Sequence, residues 1–194
     1  MSESTIRLVV GLGNPGEKYA GTRHNVGFSW LDKLTAMLHV ALKPEHKFQG
    51  LSVRIQSNDL DCWLLEPQTY MNASGTSVAA ICRYYEILPE EVLIVHDELD
   101  LPSGSVKLKW GGGAGGHNGL KSVLAHFDNQ PFWRLRIGIG HPGSRQAVVN
   151  YVLHTPERDE AVLIDQAINR SMQAWPLIIS GRFSEAMLLL HTKR

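Results

Sequence analysis

The 194-residue sequence has few of the features that mark membrane, secreted or disulfide-linked proteins. Its two cysteines, Cys62 and Cys82, lie among apolar residues, so we interpret them as buried free thiols. No apolar run approaches the ~18 residues that a membrane-spanning helix needs. No basic segment followed by an apolar one opens the sequence, so we expect no signal peptide. These absences predict a cytoplasmic protein that has no membrane partner.

The formal net charge is zero, because 19 basic side chains balance 19 acidic ones. The balance is uneven along the chain. Residues 51–100 carry two basic and nine acidic side chains, whereas residues 101–150 carry six basic and one acidic. Such an asymmetry can place a basic patch on a neutral protein, so the composition does not exclude a nucleic-acid partner.

Short runs that are apolar, or that alternate apolar with polar residues, are interleaved with amphipathic runs along the whole chain. This order predicts one domain over residues 1–194, with an α/β fold built on a twisted, mixed and mostly parallel sheet with helices on both faces. Residues 43–50 are polar and read as a loop. The strands are predicted at 6–10, 51–55, 62–65, 92–95, 106–110 and 133–139. The helices are predicted at about 25–39, 74–85, 120–127, 157–174 and 185–190, with Asn72 or Ser74 capping the second.

A glycine-rich loop at residues 11–27 follows the first predicted strand and carries several polar side chains. Residues 11–16 fit the G-x-G-x-x-G pattern of dinucleotide-binding folds. That fold needs its helix to begin within the glycines, but here proline and glycine delay the helix until about Asn25. The loop is therefore better suited to approach another kind of ligand with its backbone.

His24 in this loop is the best candidate for a general base. Asp97 follows the most apolar predicted strand, at the end where such sheets place functional groups, and Glu98 and Asp100 beside it are alternative partners for the histidine. If the strands at 6–10 and 92–95 are neighbours, His24 and Asp97 meet at one rim of the sheet. A carboxylate fixes the tautomer of a histidine and stabilises its protonated form.

No nucleophile accompanies this pair, since neither a G-x-S-x-G elbow nor a cysteine in polar surroundings is present. His24 would then activate water directly. A metal site is an alternative, but the candidate ligands His96, Asp97, His117 and His141 lack the spacing of known metal motifs. A second alternative is an RNA-binding module without chemistry, in which the His–Asp pair is structural.

Several polar and aromatic residues are expected beside His24 in the same cleft. Asparagine amides donate and accept, which suits a peptide group or a developing oxyanion, and aromatic walls suit a base or a peptide side chain. The glycine-rich stretch 111–119 is interpreted as a pliable cover over the site. The expected cleft residues are Asn14, Tyr19, Asn25, Tyr70, Met71, Asn72, His117 and Asn118. The basic residues that could follow phosphates are Lys107, Lys109, Lys121, Arg134 and Arg136.

These segments closely resemble the bacterial peptidyl-tRNA hydrolases. The matching motifs, in that family's order, are VGLGNPG at 10–16, Y-x-x-TRHN at 19–25, PQTYMNASG at 67–75, HDELDLP at 96–102, GGGAGGHNGLKS at 111–122 and RLRIGIGHPG at 134–143. The resemblance implies a monomeric cytoplasmic esterase that needs no metal or cofactor and releases tRNA from peptidyl-tRNA dropped by ribosomes.

The resemblance also assigns roles. His24 matches the general base, Asp97 the residue that stabilises it, and Asn14 the residue that separates blocked from free aminoacyl-tRNA. One departure is Ala114, where the family often has a histidine, so hydrogen bonding in the glycine-rich cover is expected to differ. The substrate-binding positions are matched by Tyr19, Tyr70, Asn72 and Asn118, the cleft lining by Asn25, Met71 and His117, and the tRNA-associated basic positions by Lys107, Lys109 and Arg136.

Overall fold

A seven-stranded mixed sheet runs through the computed structural model, which describes residues 4–191. Its strand order is β2-β3-β4-β1-β5-β7-β6. The strands are β1 (Leu8–Gly11), β2 (Lys43–Glu45), β3 (Gly50–Ser57), β4 (Leu60–Pro67), β5 (Val92–Glu98), β6 (Val106–Trp110) and β7 (Trp133–Gly138).

The centre of the sheet is parallel and its two edges are antiparallel. β1 pairs in parallel with both β4 and β5, and β5 pairs in parallel with β7. The pairs β2–β3, β3–β4 and β6–β7 are antiparallel. The sequence predicts a mostly parallel sheet, but parallel pairing does not predominate. A hairpin at residues 57–60 and the reversed edge strand β6 add antiparallel pairs at the edges.

Helices cover both faces of the sheet. They are α1 (Val26–Leu38), α2 (Ser74–Tyr85), α3 (Asn118–His126), α4 (Val148–Val152), α5 (Arg158–Ser171), α6 (Trp175–Ile179) and α7 (Phe183–His191). Alternate residues of the central strands face opposite sides. Val9 joins the apolar cluster under α1, α5 and α6, whereas Leu8 and Val10 join the cluster under α2 and α3. The central strands are thus buried on both faces, which explains their continuous apolar runs.

The predicted elements are found, with four corrections. β2 lies in the stretch interpreted as a loop, and neither α4 nor α6 was predicted. Neither proposed cap of α2 is used, because Ser74 lies inside the helix and its hydroxyl donates to the Met71 carbonyl oxygen, while Asn72 belongs to a preceding 3-10 turn.

Both cysteines are buried free thiols, as predicted. Burial raises the pKa of Cys82 to about 12 and raises that of Cys62 further, so both thiols stay protonated and unreactive. Within residues 4–191, none of the helices combines the length and apolar composition that crossing a bilayer requires.

Candidate active site

The site is built where β1 and β5 end side by side. Gly11 is paired with Val95, so the loops that follow these strands leave from the same rim. Helix α1 returns close to that rim at Gly27, where a Cβ atom would lie 2.5 Å from the carbonyl oxygens of Leu12 and Val95. Only glycine allows this approach, which holds the loop carrying His24 directly over β5.

Asp97 joins two histidines at this rim. Its Oδ2 atom lies 2.8 Å from Nδ1 of His24, and its Oδ1 atom lies 2.8 Å from Nε2 of His117. The two imidazole rings have centroids 4.9 Å apart. The carboxylate is almost fully buried, so each of its oxygens is occupied by one histidine. The prediction that His24 and Asp97 meet at one rim is therefore confirmed.

The backbone fixes the tautomer of His117. Its Nδ1 atom accepts hydrogen bonds from the amides of Gly119 and Leu120, at 3.1 and 3.3 Å, and so caps α3. Nε2 must then carry the proton and donate it to Asp97. His24 likewise donates Nδ1–H to the other oxygen of Asp97, which leaves Nε2 of His24 with a free lone pair.

The charges and hydrogen bonds around His24 favour its action as a base. Burial lowers the pKa of His24, but the negative charge and hydrogen bond of Asp97 outweigh it, so the pKa lies above the usual histidine value. Burial acts to raise the pKa of Asp97, yet the two histidines hold it far below the usual carboxyl range. Burial and the neighbouring His117 lower the pKa of His96 to about 3, and neutral His96 donates from Nδ1 to the carbonyl oxygen of Asp97.

Asn14 is held in place by its backbone and by one side-chain atom. Its amide N–H donates to Oδ1 of Asn25 at 2.8 Å, and its carbonyl oxygen accepts from Nδ2 of Asn25 at 2.9 Å. Oδ1 of Asn14 accepts from the amide of Met71 at 2.7 Å, so the Nδ2 amide is the group left to face the cleft. Asn25 was expected in the cleft lining; it lies instead behind Asn14 and supports it.

A cleft of about 690 Å³ opens above Asp97 and His24. The rings of Tyr19 and Tyr70 stand edge to face at its mouth, 6.3 Å apart, and Tyr70 is 64% exposed. The other predicted residues that line the cleft are Asn14, Met71, Asn72, His117 and Asn118, together with Ala114.

Part of the cleft lining is apolar and was not predicted from the sequence. Val148, Val149 and Val152 of α4 line the cleft with Leu153. Their spacing is that of one helix face, but the run is only five residues long and was too short to be recognised as a helix. His96, Glu98 and Arg145 also line the cleft without having been assigned to it.

Four of the five predicted basic residues lie outside the cleft, on β6 and β7, whereas Lys121 of α3 lines the cleft itself. Lys107 is opposite Arg136 and Lys109 is opposite Arg134 in the antiparallel register, so all four share one face of the sheet. Both lysines are exposed, and Arg136 forms a 2.8 Å ion pair with Glu98. The sequence places Arg134 among the residues that could follow phosphates. Arg134 is buried, however, and cannot belong to a basic surface.

His24, Asp97 and His117 are also the one group of potential metal ligands within the described residues, with candidate atoms 4.8 Å apart or less. His96 and His141 are not part of that group. The atoms that would bind a cation are already joined by two N–H···O bonds, and the cap on α3 keeps the proton on Nε2 of His117. This pattern favours a hydrogen-bonded triad over a metal site.

Comparisons with known proteins show which family this chain resembles. Residues 8–194 match the family described as peptidyl-tRNA hydrolase. The chain is 65% identical over 192 residues to a peptidyl-tRNA hydrolase of Nitrosomonas europaea, covering 99% of this chain and 98% of the relative. It is 52% identical over 190 residues to one of Neisseria gonorrhoeae, covering 98% and 99%. A crystal structure of peptidyl-tRNA hydrolase from Acinetobacter baumannii superimposes with a TM-score of 0.94 at 45% identity, covering 100% of this chain and 97% of that one.

Proposed function

The chain belongs to the peptidyl-tRNA hydrolase family, and we propose that it cleaves the ester between the peptide and the 3′-terminal ribose of peptidyl-tRNAs released from ribosomes, so that the tRNA is recycled. The observation that carries the mechanism is the free Nε2 lone pair of His24, which is oriented by Asp97 at the floor of the cleft.

We assign the role of general base to His24. Its Nε2 atom takes a proton from a water molecule while the water oxygen attacks the ester carbonyl carbon. Asp97 stabilises the imidazolium that forms. The tetrahedral intermediate then collapses, and the ribose oxygen leaves with the proton that His24 returns. The products are a free peptide carboxyl group and a tRNA with its terminal hydroxyl restored.

Amides beside His24 would stabilise the oxyanion and read the peptide. Asn72 and Asn118 line the cleft and are exposed, as donors to a developing negative charge should be. We assign to the free Nδ2 of Asn14 a hydrogen bond to the carbonyl of a blocked α-amine, a group that unblocked aminoacyl-tRNA lacks. Tyr19, Tyr70 and Met71 supply apolar surface for the terminal base or a peptide side chain.

The rest of the substrate would extend over the basic face of β6 and β7. Lys107, Lys109 and Arg136 lie there, next to Glu98 at the cleft edge. We infer that they bind tRNA phosphates. We propose that the protein acts as a monomer, as the family resemblance implies. A substrate made by ribosomes supports a cytoplasmic location.

Hydrolysis of N-acetylaminoacyl-tRNA in the presence of a chelator tests this function, with unblocked aminoacyl-tRNA as the comparison. We expect cleavage of the blocked substrate alone. Binding of tRNA without cleavage would favour the RNA-binding alternative. Loss of activity in the chelator, restored by a divalent cation, would favour a metal-dependent hydrolase.

A further inference from the structure

Arg134 of β7 is a cation that the mechanism above does not use. Its side chain is 3% exposed, and burial lowers its pKa below the usual arginine value. Its two terminal nitrogens donate to consecutive carbonyl oxygens, those of Gly112 and Gly113. Its guanidinium carbon lies 4.8 Å from the centre of the Phe132 ring. A phosphate outside the protein cannot reach these donors.

The carbonyls that it holds belong to the glycine loop, residues 111–116, between β6 and α3. Gly111, Gly112, Gly115 and Gly116 have φ values of +67, +105, +57 and +82°, in a region that other residues rarely adopt. A Cβ atom built on Gly113, Gly115 or Gly116 would meet no atom within 4 Å. Packing therefore does not fix most of this loop, and its position depends on how its ends are held.

The far end of the glycine loop is held by the hydrogen-bonded group of His24, Asp97 and His117. His117 follows the loop directly, caps α3 through Nδ1 and donates to Asp97 through Nε2. Asn118 comes next and lines the cleft. The near end is held by Arg134, beside the hydrogen bond from the Gly111 amide to the Phe132 carbonyl oxygen at 2.9 Å.

We propose that Arg134 is a positioning residue: its two hydrogen bonds set the glycine loop over the cleft and so place His117 and Asn118 for the reaction. This inference rests on the proposed function. Arginine suits the task because its planar fork presents two N–H donors to adjacent carbonyls, whereas a lysine ammonium cannot reproduce that fixed pair.

The experiment compares two substrates. One is N-acetylaminoacyl-tRNA, and the other is the same blocked amino acid esterified to a CCA trinucleotide, which lacks the body of the tRNA. Arg134→Met is expected to lower kcat by about tenfold or more, and by the same factor, on both substrates, because small misplacements of catalytic groups are costly. Arg134→Lys is expected to recover only part of the loss. The control Arg136→Met is expected to raise KM on the full tRNA alone, and less so at high salt.

Amide hydrogen exchange provides a readout that needs no activity. In Arg134→Met, the amides of residues 112–117 are expected to exchange faster while those of β1 and β5 stay protected. A loss confined to the full tRNA and weakened by salt would make Arg134 a phosphate contact and overturn the proposal, as would unchanged kcat and exchange. If Arg134→Met does not fold, the same measurements on Arg134→Lys decide between these outcomes. An inactive wild type with the expected exchange pattern would refute the proposed function and leave the anchoring of the loop standing.

Discussion

Replacing Asp97 with asparagine keeps the size of the side chain but is expected to remove the base. His117 must keep its proton on Nε2, because its Nδ1 accepts the amides of Gly119 and Leu120. The single oxygen of the new amide will therefore face His117, and its NH₂ group will face Nδ1 of His24. Nδ1 must then accept, so the proton moves to Nε2, where water should have been activated.

The size of the effect follows from losing an oriented base. Such a base typically contributes about 10² to 10⁴ in rate, equivalent to about 3–5 kcal/mol of transition-state stabilisation. Asp97→Asn is expected to lose most of this, and as much as Asp97→Ala. The exposed Asp100→Asn makes the same chemical change three residues away and should keep the wild-type rate.

The assay is kcat/KM for N-acetylaminoacyl-tRNA across pH, corrected for spontaneous hydrolysis. The unprotonated form of His24 is the active one, so the wild-type rate should rise with pH through an inflection above the usual histidine value, because Asp97 raises the pKa of His24. In Asp97→Asn only the effect of burial remains, and the residual activity should show its inflection at lower pH. A rate within tenfold of wild type, or an inflection that does not move down, would refute the tautomer argument.

Four further substitutions have expected results. Asn14→Ala should narrow the preference for blocked over free aminoacyl-tRNA, measured as a ratio of kcat/KM values, because it removes the free amide; an unchanged ratio would contradict that role. Gly27→Ala should lower the free energy of unfolding by about 1–3 kcal/mol, since its Cβ would press on backbone oxygens. Gly113→Ala should change it by less than about 0.5 kcal/mol, since its Cβ meets open space, and equal losses in urea denaturation would contradict the packing argument. Lys107→Met should reduce the slope of log Kd for tRNA against log salt by about 1, and an unchanged slope would remove Lys107 from the phosphate contacts.

The central strands and the meeting of His24 with Asp97 could be predicted because simple rules determine them. A continuous apolar run marks a strand buried on both faces, and parallel neighbours bring their carboxyl ends to one rim. The two loops that follow β1 and β5 then have to be adjacent, whatever their detailed paths.

Other parts depended on tertiary contacts that have no local signal. Arg134 and Arg136 occupy alternate positions of β7 and have the same local pattern. Arg134 is nevertheless buried and bound to the glycine loop, whereas Arg136 is partly exposed and pairs with Glu98. Asn25 is polar, like the residues expected in a cleft, but its side-chain amide makes two hydrogen bonds with the backbone of Asn14. The five-residue α4 is stabilised by packing rather than by its own sequence.

The most direct measurement is single-turnover cleavage of N-acetylaminoacyl-tRNA by His24→Ala, with the exposed His46→Ala as the matched control. Enzyme in excess separates the chemical step from product release. His24→Ala is expected to cleave at a rate about 10²- to 10⁴-fold below wild type with unchanged tRNA binding, and His46→Ala is expected to cleave at the normal rate. A His24→Ala rate within a few-fold of wild type would contradict the assignment of the general base.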